Sequence, residues 1–211
     1  MRELTVTEKD CAQQLIKYLS KYMEEAPKSF FYKMLRKKNI VLNQKKADGS
    51  EKLKTGDTIR LYLAEETIEK FRKTPEKPAA GKQVKYPKLD IVYEDEKVIF
   101  LNKPAGVLSQ KAKETDVSLT EALGAYLSEK NAGEETMFRA GLCNRLDRNT
   151  SGLILAGKTV AATQQLSELI AERAGGKYYL TVVKGTVTET ERIRGYLTKN
   201  ERTNRVSIQR E

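Results

Sequence analysis

The sequence predicts an α+β protein in two parts, a small basic module followed by a larger body of mixed strands and helices. Three observations carry that reading. Apolar residues recur at helical spacing between residues 11 and 39, then gather in short strand-like runs up to residue 63. A stretch rich in Pro and Lys interrupts the chain at 72–88. From Leu89 onward, short apolar runs bounded by turn residues alternate with helical patterns.

Leu15, Ile16, Leu19, Tyr22 and Met23 form one helical stripe, predicting a helix over 11–25 that stops at Pro27. A second helix is expected over 29–39 with Ser29 as its N-cap. Phe30, Phe31, Met34 and Leu35 form its apolar face, and Lys33, Arg36, Lys37 and Lys38 the other. Strands are predicted at 39–43 and 58–63, joined through turns at Asp48-Gly49 and Gly56-Asp57. The stretch 72–88 reads as a basic, semi-extended linker. In the body, strands are expected at 90–93, 98–102, 151–156 and 177–184, with helices at 118–129 and 160–174. Ser118 and Glu121 have capping-box spacing, and Gly175-Gly176 follows the last helix.

The 211 residues include no histidine, which removes imidazole acid–base schemes, Ser-His-Asp and Cys-His hydrolases and most zinc sites. Cys11 and Cys143 lack metal-ligand spacing, and no apolar run is long enough for a bilayer span. A cytoplasmic protein with reduced thiols, no metal and no membrane partner is the expectation. The formal charge is +10, of which residues 1–72 carry +5, 73–88 carry +4 and 89–211 only +1. A basic front on a near-neutral body suits a polyanion partner, though charge alone fits a merely soluble surface equally well.

The residues with most chemical content are Asn144-Arg145-Leu146-Asp147-Arg148-Asn149-Thr150-Ser151-Gly152. An aspartate among arginines and hydroxyl or amide donors is an environment suited to an ionised carboxylate. By spacing alone, a structural Arg–Asp pair organising a turn explains it as readily as catalysis does.

This segment resembles the HRLDxxTSG signature of the pseudouridine synthases that modify large-subunit ribosomal RNA and some transfer RNA. Three further stretches resemble that family in its order: residues 89–110 with their Lys-Pro-Ala-Gly loop, Leu155-Ala156-Gly157-Lys158-Thr159, and Lys177-Tyr178-Tyr179 running to Gly185. Residues 29–63 resemble the alpha-L RNA-binding domain, the module first known from a small-subunit ribosomal protein.

The resemblance implies an RNA-binding domain at 1–71, the linker at 72–88, and part of a synthase catalytic domain with a mixed or antiparallel sheet at 89–211. It implies an enzyme that isomerises uridine to pseudouridine, most directly in 23S ribosomal RNA, without a cofactor. Asp147 would be the nucleophile, at the ribose anomeric carbon or at carbon 6 of the base. Arg145 would pair with Asp147 or with an RNA phosphate, and Tyr179 would stack on the flipped uracil. Lys28, Lys33, Arg36, Lys37 and Lys38 would face RNA phosphates.

Two departures qualify this. Asn144 stands where the signature has His, so altered RNA contacts with retained chemistry are expected. The family's late segment has no counterpart before Glu211, so a C-terminally truncated chain with an incomplete sheet and little activity is expected. The competing readings are a non-catalytic RNA-binding protein with a degenerate or incomplete synthase body, and a structural protein whose Arg145-Asp147-Arg148 cluster only organises a turn.

Overall fold

The structure is a computed structural model that describes residues 1–72, 86–113, 115–131, 136–200, 203 and 205–210. Backbone contacts divide it into two compact units, Met1–Gly175 and Gly176–Glu211.

The first unit opens with β1 (Arg2–Thr5), α1 (Leu15–Tyr22), α2 (Lys28–Arg36), β2 (Ile40–Leu42), β3 (Lys45–Lys46), β4 (Thr58–Leu61) and α3 (Glu65–Phe71). The four strands form an antiparallel sheet in the order β1-β4-β2-β3. Leu15, Leu19, Met23, Phe31, Leu35, Ile40, Ile59, Leu61 and Ile68 close a core between that sheet and the helices.

α1 is shorter than the expected 11–25 because its leading amides are taken elsewhere. Ala12, in the left-handed region at φ 66°, donates to Leu53 O, and Leu15 donates to Glu51 O. α2 begins one residue early, with extended Pro27 at the N-cap, so Ser29 lies inside the helix and does not cap it. Its C-terminus closes through Lys38 N to Leu35 O and Asn39 N to Met34 O, with Lys38 left-handed at φ 61° where glycine is usual. β1 and α3 were not anticipated from the sequence.

The same unit continues with β5 (Ile91–Glu94), β6 (Val98–Lys103), α4 (Leu119–Lys130), β7 (Gly141–Leu142), β8 (Gly152–Gly157) and α5 (Val160–Ala171). These strands form an antiparallel sheet in the order β5-β6-β8-β7. Ile99, Leu101, Ile154 and Ala156 pack with Leu119, Leu123 and Leu127 of α4 in a second core. The Ser118–Glu121 capping box forms as expected, the Glu121 carboxylate accepting from the Ser118 amide at 3.1 Å. α5 lies so close to β8 that a Cβ on Gly157 would sit 2.7 Å from Thr163 Cα. Of the expected linker, residues 73–85 lie outside the described residues.

The second unit holds one antiparallel hairpin of β9 (Gly195–Asn200) and β10 (Arg205–Arg210). The strand expected at 177–184 is not formed, because among the described residues no neighbouring backbone joins it in a ladder and an extended run without a partner is not a strand. Among the described residues no helix is long and apolar enough to cross a membrane.

Candidate active site

The site is built at the end of the second sheet where β6 stops and β8 starts. Along β6, alternation sends Ile99, Leu101 and Lys103 to the buried face, so a lysine occupies the core-facing position at the strand's end. Lys103 is 0% exposed. Its ammonium group donates three hydrogen bonds, to Pro104 O at 3.0 Å, Val107 O at 2.8 Å and Arg148 O at 3.1 Å. All three donors of the group are therefore satisfied by backbone carbonyls. Burial pushes the Lys103 ammonium below its ordinary range, and the negative charge of Asp147 opposes that shift.

Opposite Lys103 in the ladder stands Gly152, at φ 131°, a conformation in which a side chain is strained. The Asp147 turn runs up to this glycine and is fastened at several points. Gly106 donates to Arg148 O at 2.8 Å. The Ser109 hydroxyl donates to Leu146 O at 2.6 Å and accepts from the Leu146 amide at 3.1 Å. The Thr120 hydroxyl in turn donates to Ser109 O at 2.9 Å, which ties the turn to the start of α4. The Asn144 side chain bridges to β8, donating to Leu153 O at 3.0 Å and accepting from the Leu155 amide at 2.8 Å. Its amide is thus committed to the adjacent strand, which places the signature-head residue in the scaffold.

On this turn Asp147, Arg145 and Arg148 are all exposed. Among the described residues the Asp147 carboxylate has no hydrogen bond or ion pair. Of the two partners expected for Arg145, Asp147 is not paired with it, and the backbone of the turn closes through Thr150 N donating to Asp147 O at 3.1 Å. The turn is held instead by Lys103, Ser109 and Asn144, so an Arg–Asp ion network does not organise it. The carboxylate is left facing outward on a backbone fixed on both sides.

Tyr179 belongs to the second unit, where it is 63% exposed on irregular backbone. In the front module, Lys28, Lys33, Arg36, Lys37 and Lys38 are all exposed on α2 and its C-terminal turn, and none forms an ion pair among the described residues. Lys28 sits at the first position of α2, where the helix dipole disfavours a cation. Among the described residues no cluster of three or more Cys, Asp or Glu side chains is arranged to hold a metal ion.

The sequence reading missed Lys103, Ser109 and the clamping role of Asn144. The signal for Lys103 was present, since a lysine in the buried phase of an otherwise apolar strand needs a reason.

Residues 97–211 match the family described as RNA pseudouridylate synthase. Ribosomal large subunit pseudouridine synthase C of Haemophilus influenzae is 30% identical over 218 residues, covering 99% of this chain and 64% of that protein. The Escherichia coli protein of the same name is 31% identical over 185 residues, covering 86% of this chain and 54% of its own length. The chain therefore spans under two thirds of these relatives. Among solved structures, human RNA Pseudouridylate Synthase Domain Containing 4 aligns with 40% of this chain and 30% of its own at 24% identity, with a TM-score of 0.34, too low to establish a shared fold. The family match takes in more than half of the sequence and includes the whole fastened turn around Asp147, and the chain belongs to the RNA pseudouridylate synthase family.

Proposed function

We propose that this chain carries the catalytic aspartate of an enzyme that isomerises uridine to pseudouridine in RNA, with ribosomal RNA as the substrate class. The carrying observation is the unpartnered, exposed Asp147 carboxylate on a turn that Lys103, Ser109 and Asn144 hold rigidly. A side chain presented this way retains its full capacity as a nucleophile, and the fixed backbone sets its direction. Both relatives named above are ribosomal large subunit synthases, which favours ribosomal RNA.

In this reading Asp147 attacks the ribose anomeric carbon or carbon 6 of the base, and the bond from N1 to the sugar breaks. The uracil turns, a bond forms from carbon 5 to the sugar, the bond to the Asp147 carboxylate breaks and returns its electron pair to the carboxylate, and the carbon 5 proton is released while N1 regains one. Atoms and electrons balance without a cofactor. Tyr179 stacks on the flipped base, and Arg145 contacts a phosphate. Residues 1–71 act as an RNA-binding domain through Lys28, Lys33, Arg36, Lys37 and Lys38, and 89–211 belong to the catalytic domain. The protein works in the cytoplasm.

The test is tritium release from RNA labelled at uridine carbon 5, using protein that contains this whole sequence. Release that falls to background in Asp147→Ala while RNA binding persists supports the proposal. Release that persists in the variant overturns it. Absence of release from the unaltered protein, with salt-sensitive RNA binding retained, favours the non-catalytic RNA-binding reading instead.

A further inference from the structure

Two adjoining cavities lie within the first unit between α1 and the segment around Phe138. The larger, about 360 Å³, is bounded by Lys21, Phe138, Arg139, Val160 and residues of α5. The smaller, about 220 Å³, shares Lys21, Phe138 and Arg139 and adds Tyr22, Glu24 and Arg72. Gly141, in the wall of the larger, pairs with Gly157 at the opposite end of β8 from Gly152 and the Asp147 turn. At about 3.3 Å per residue, the two ends of β8 are roughly 17 Å apart. These cavities are therefore separate from the candidate active site.

Their charge is unbalanced. Lys17 and Lys21 lie one turn apart on α1, and both Lys17 and Arg139 reach Lys21 electrostatically. Lys21 is half-buried, and among the described residues its ammonium group has no hydrogen bond or ion pair. Burial pushes it below its ordinary range, with the buried Asp10 carboxylate opposing. Arg139 pairs with Glu24 and remains 74% exposed at its side chain. An unpaired, partly desolvated ammonium beside a second cation is stabilised by an anion entering the cleft.

Apolar groups share the lining with those cations. Phe138, Val160 and Gly141 line the larger cavity together with Gln164 and Glu168 of α5, which bring an amide and a carboxylate to it. A cavity of this size lies within the ordinary range for small-molecule and nucleotide sites. An apolar lining with two cations beside it matches a base joined to a phosphate.

We propose that this cleft takes one nucleotide of a bound RNA chain, its base against Phe138 and its phosphate between Lys21 and Arg139. The inference rests on the RNA-binding reading above and adds a contact site remote from Asp147, which would hold the RNA at a second point on the same unit.

The test uses the full 211-residue chain and a fluorescein-labelled oligouridylate about a dozen nucleotides long, with the affinity measured across a salt series. The double variant Lys21→Gln/Arg139→Gln is expected to bind roughly tenfold more weakly. Its log–log salt slope should be shallower by about 0.7 per lost phosphate contact. Phe138→Ala is expected to weaken binding about tenfold with the slope unchanged. Photocrosslinking of unaltered protein to RNA carrying 4-thiouridine should label peptides covering residues 136–141, a readout that does not depend on a variant folding. Unchanged affinity and slope in the double variant, while neutralising Lys33, Arg36 and Lys37 still weakens binding, overturns this site and leaves the RNA-binding reading standing. A loss in the double variant with neither a Phe138 effect nor a crosslink overturns the nucleotide pocket in favour of a bare phosphate contact. Failure of the unaltered chain to bind RNA overturns both.

Discussion

At one end of the sheet β5-β6-β8-β7, Glu94 accepts hydrogen bonds from Lys130 at 2.8 Å, Lys158 at 2.7 Å and the Tyr126 hydroxyl at 2.7 Å. At the other end, beyond Lys103 and Gly152, the Asp147 carboxylate takes none among the described residues. The two carboxylates hang on the same scaffold and differ in what surrounds them. Burial works against the charge on Glu94, but the bonds from Lys130, Lys158 and Tyr126 outweigh it and hold its carboxyl at about 2. Glu94 thereby pins β5 to α4 and to the chain after β8. At the Asp147 end the cation, Lys103, is turned inward onto carbonyl oxygens, and the acid is left outward. One end uses its charges for cohesion, and the other holds a charge in place without neutralising it.

The largest expected effect comes from the unpartnered end. Asp147→Ala should lower tritium release on the order of a thousandfold or more. It should shift urea-unfolding stability by no more than about 0.5 kcal/mol, because among the described residues nothing is hydrogen-bonded to the carboxylate. A large loss of stability would break the contrast, since it would make Asp147 structural after all. Lys103→Met comes next. It leaves the carbonyls of Pro104, Val107 and Arg148 without their donor and should cost about 3 kcal/mol in the same measurement. Activity should fall with it as the turn loosens.

Glu94→Gln sharpens the other side and should cost about 2 kcal/mol near neutral pH. The Glu94 carboxyl is held below its ordinary 4.5, so its stabilising contribution is complete above about pH 4.5 and is lost as the pH falls toward about 2. Unfolding curves across that window should slope less steeply in the variant. A parallel slope would place the acid sensitivity elsewhere. The smallest effect is expected at the end of α2, where Lys38 occupies a left-handed position. Lys38→Gly should raise stability by about 1 kcal/mol while weakening RNA binding. Weakened stability instead would mean that the lysine side chain holds the turn.

Much of this arrangement could be read from the sequence where the signal is local. The apolar stripe of α2, the capping box at Ser118 and Glu121, and the strand pair β5 and β6 each depend on residues a few positions apart. The Asp147 turn was visible as a motif, yet what holds it was not. Lys103 meets Arg148 and Ser109 meets Leu146 across 45 and 37 residues, and no local pattern encodes such a meeting. The same holds for β1, whose partner β4 lies more than fifty residues later in the chain. The expected strand at 177–184 failed for the converse reason: an alternating or apolar run states a preference, and only a neighbouring backbone makes it a strand.

The Asn144 clamp carries a consequence for acid and base. It requires one donor and one acceptor at once, facing Leu153 O and Leu155 N. A carboxamide supplies both at every accessible pH. An imidazole, the group at this position in the signature that the segment resembles, supplies both only while neutral and in one tautomer, and becomes a double donor below about pH 6.5. With Asn144, this clamp between the Asp147 turn and β8 is indifferent to protons between about pH 5 and 8. A pH–rate profile measured on this protein would then carry no contribution from a titrating side chain at position 144.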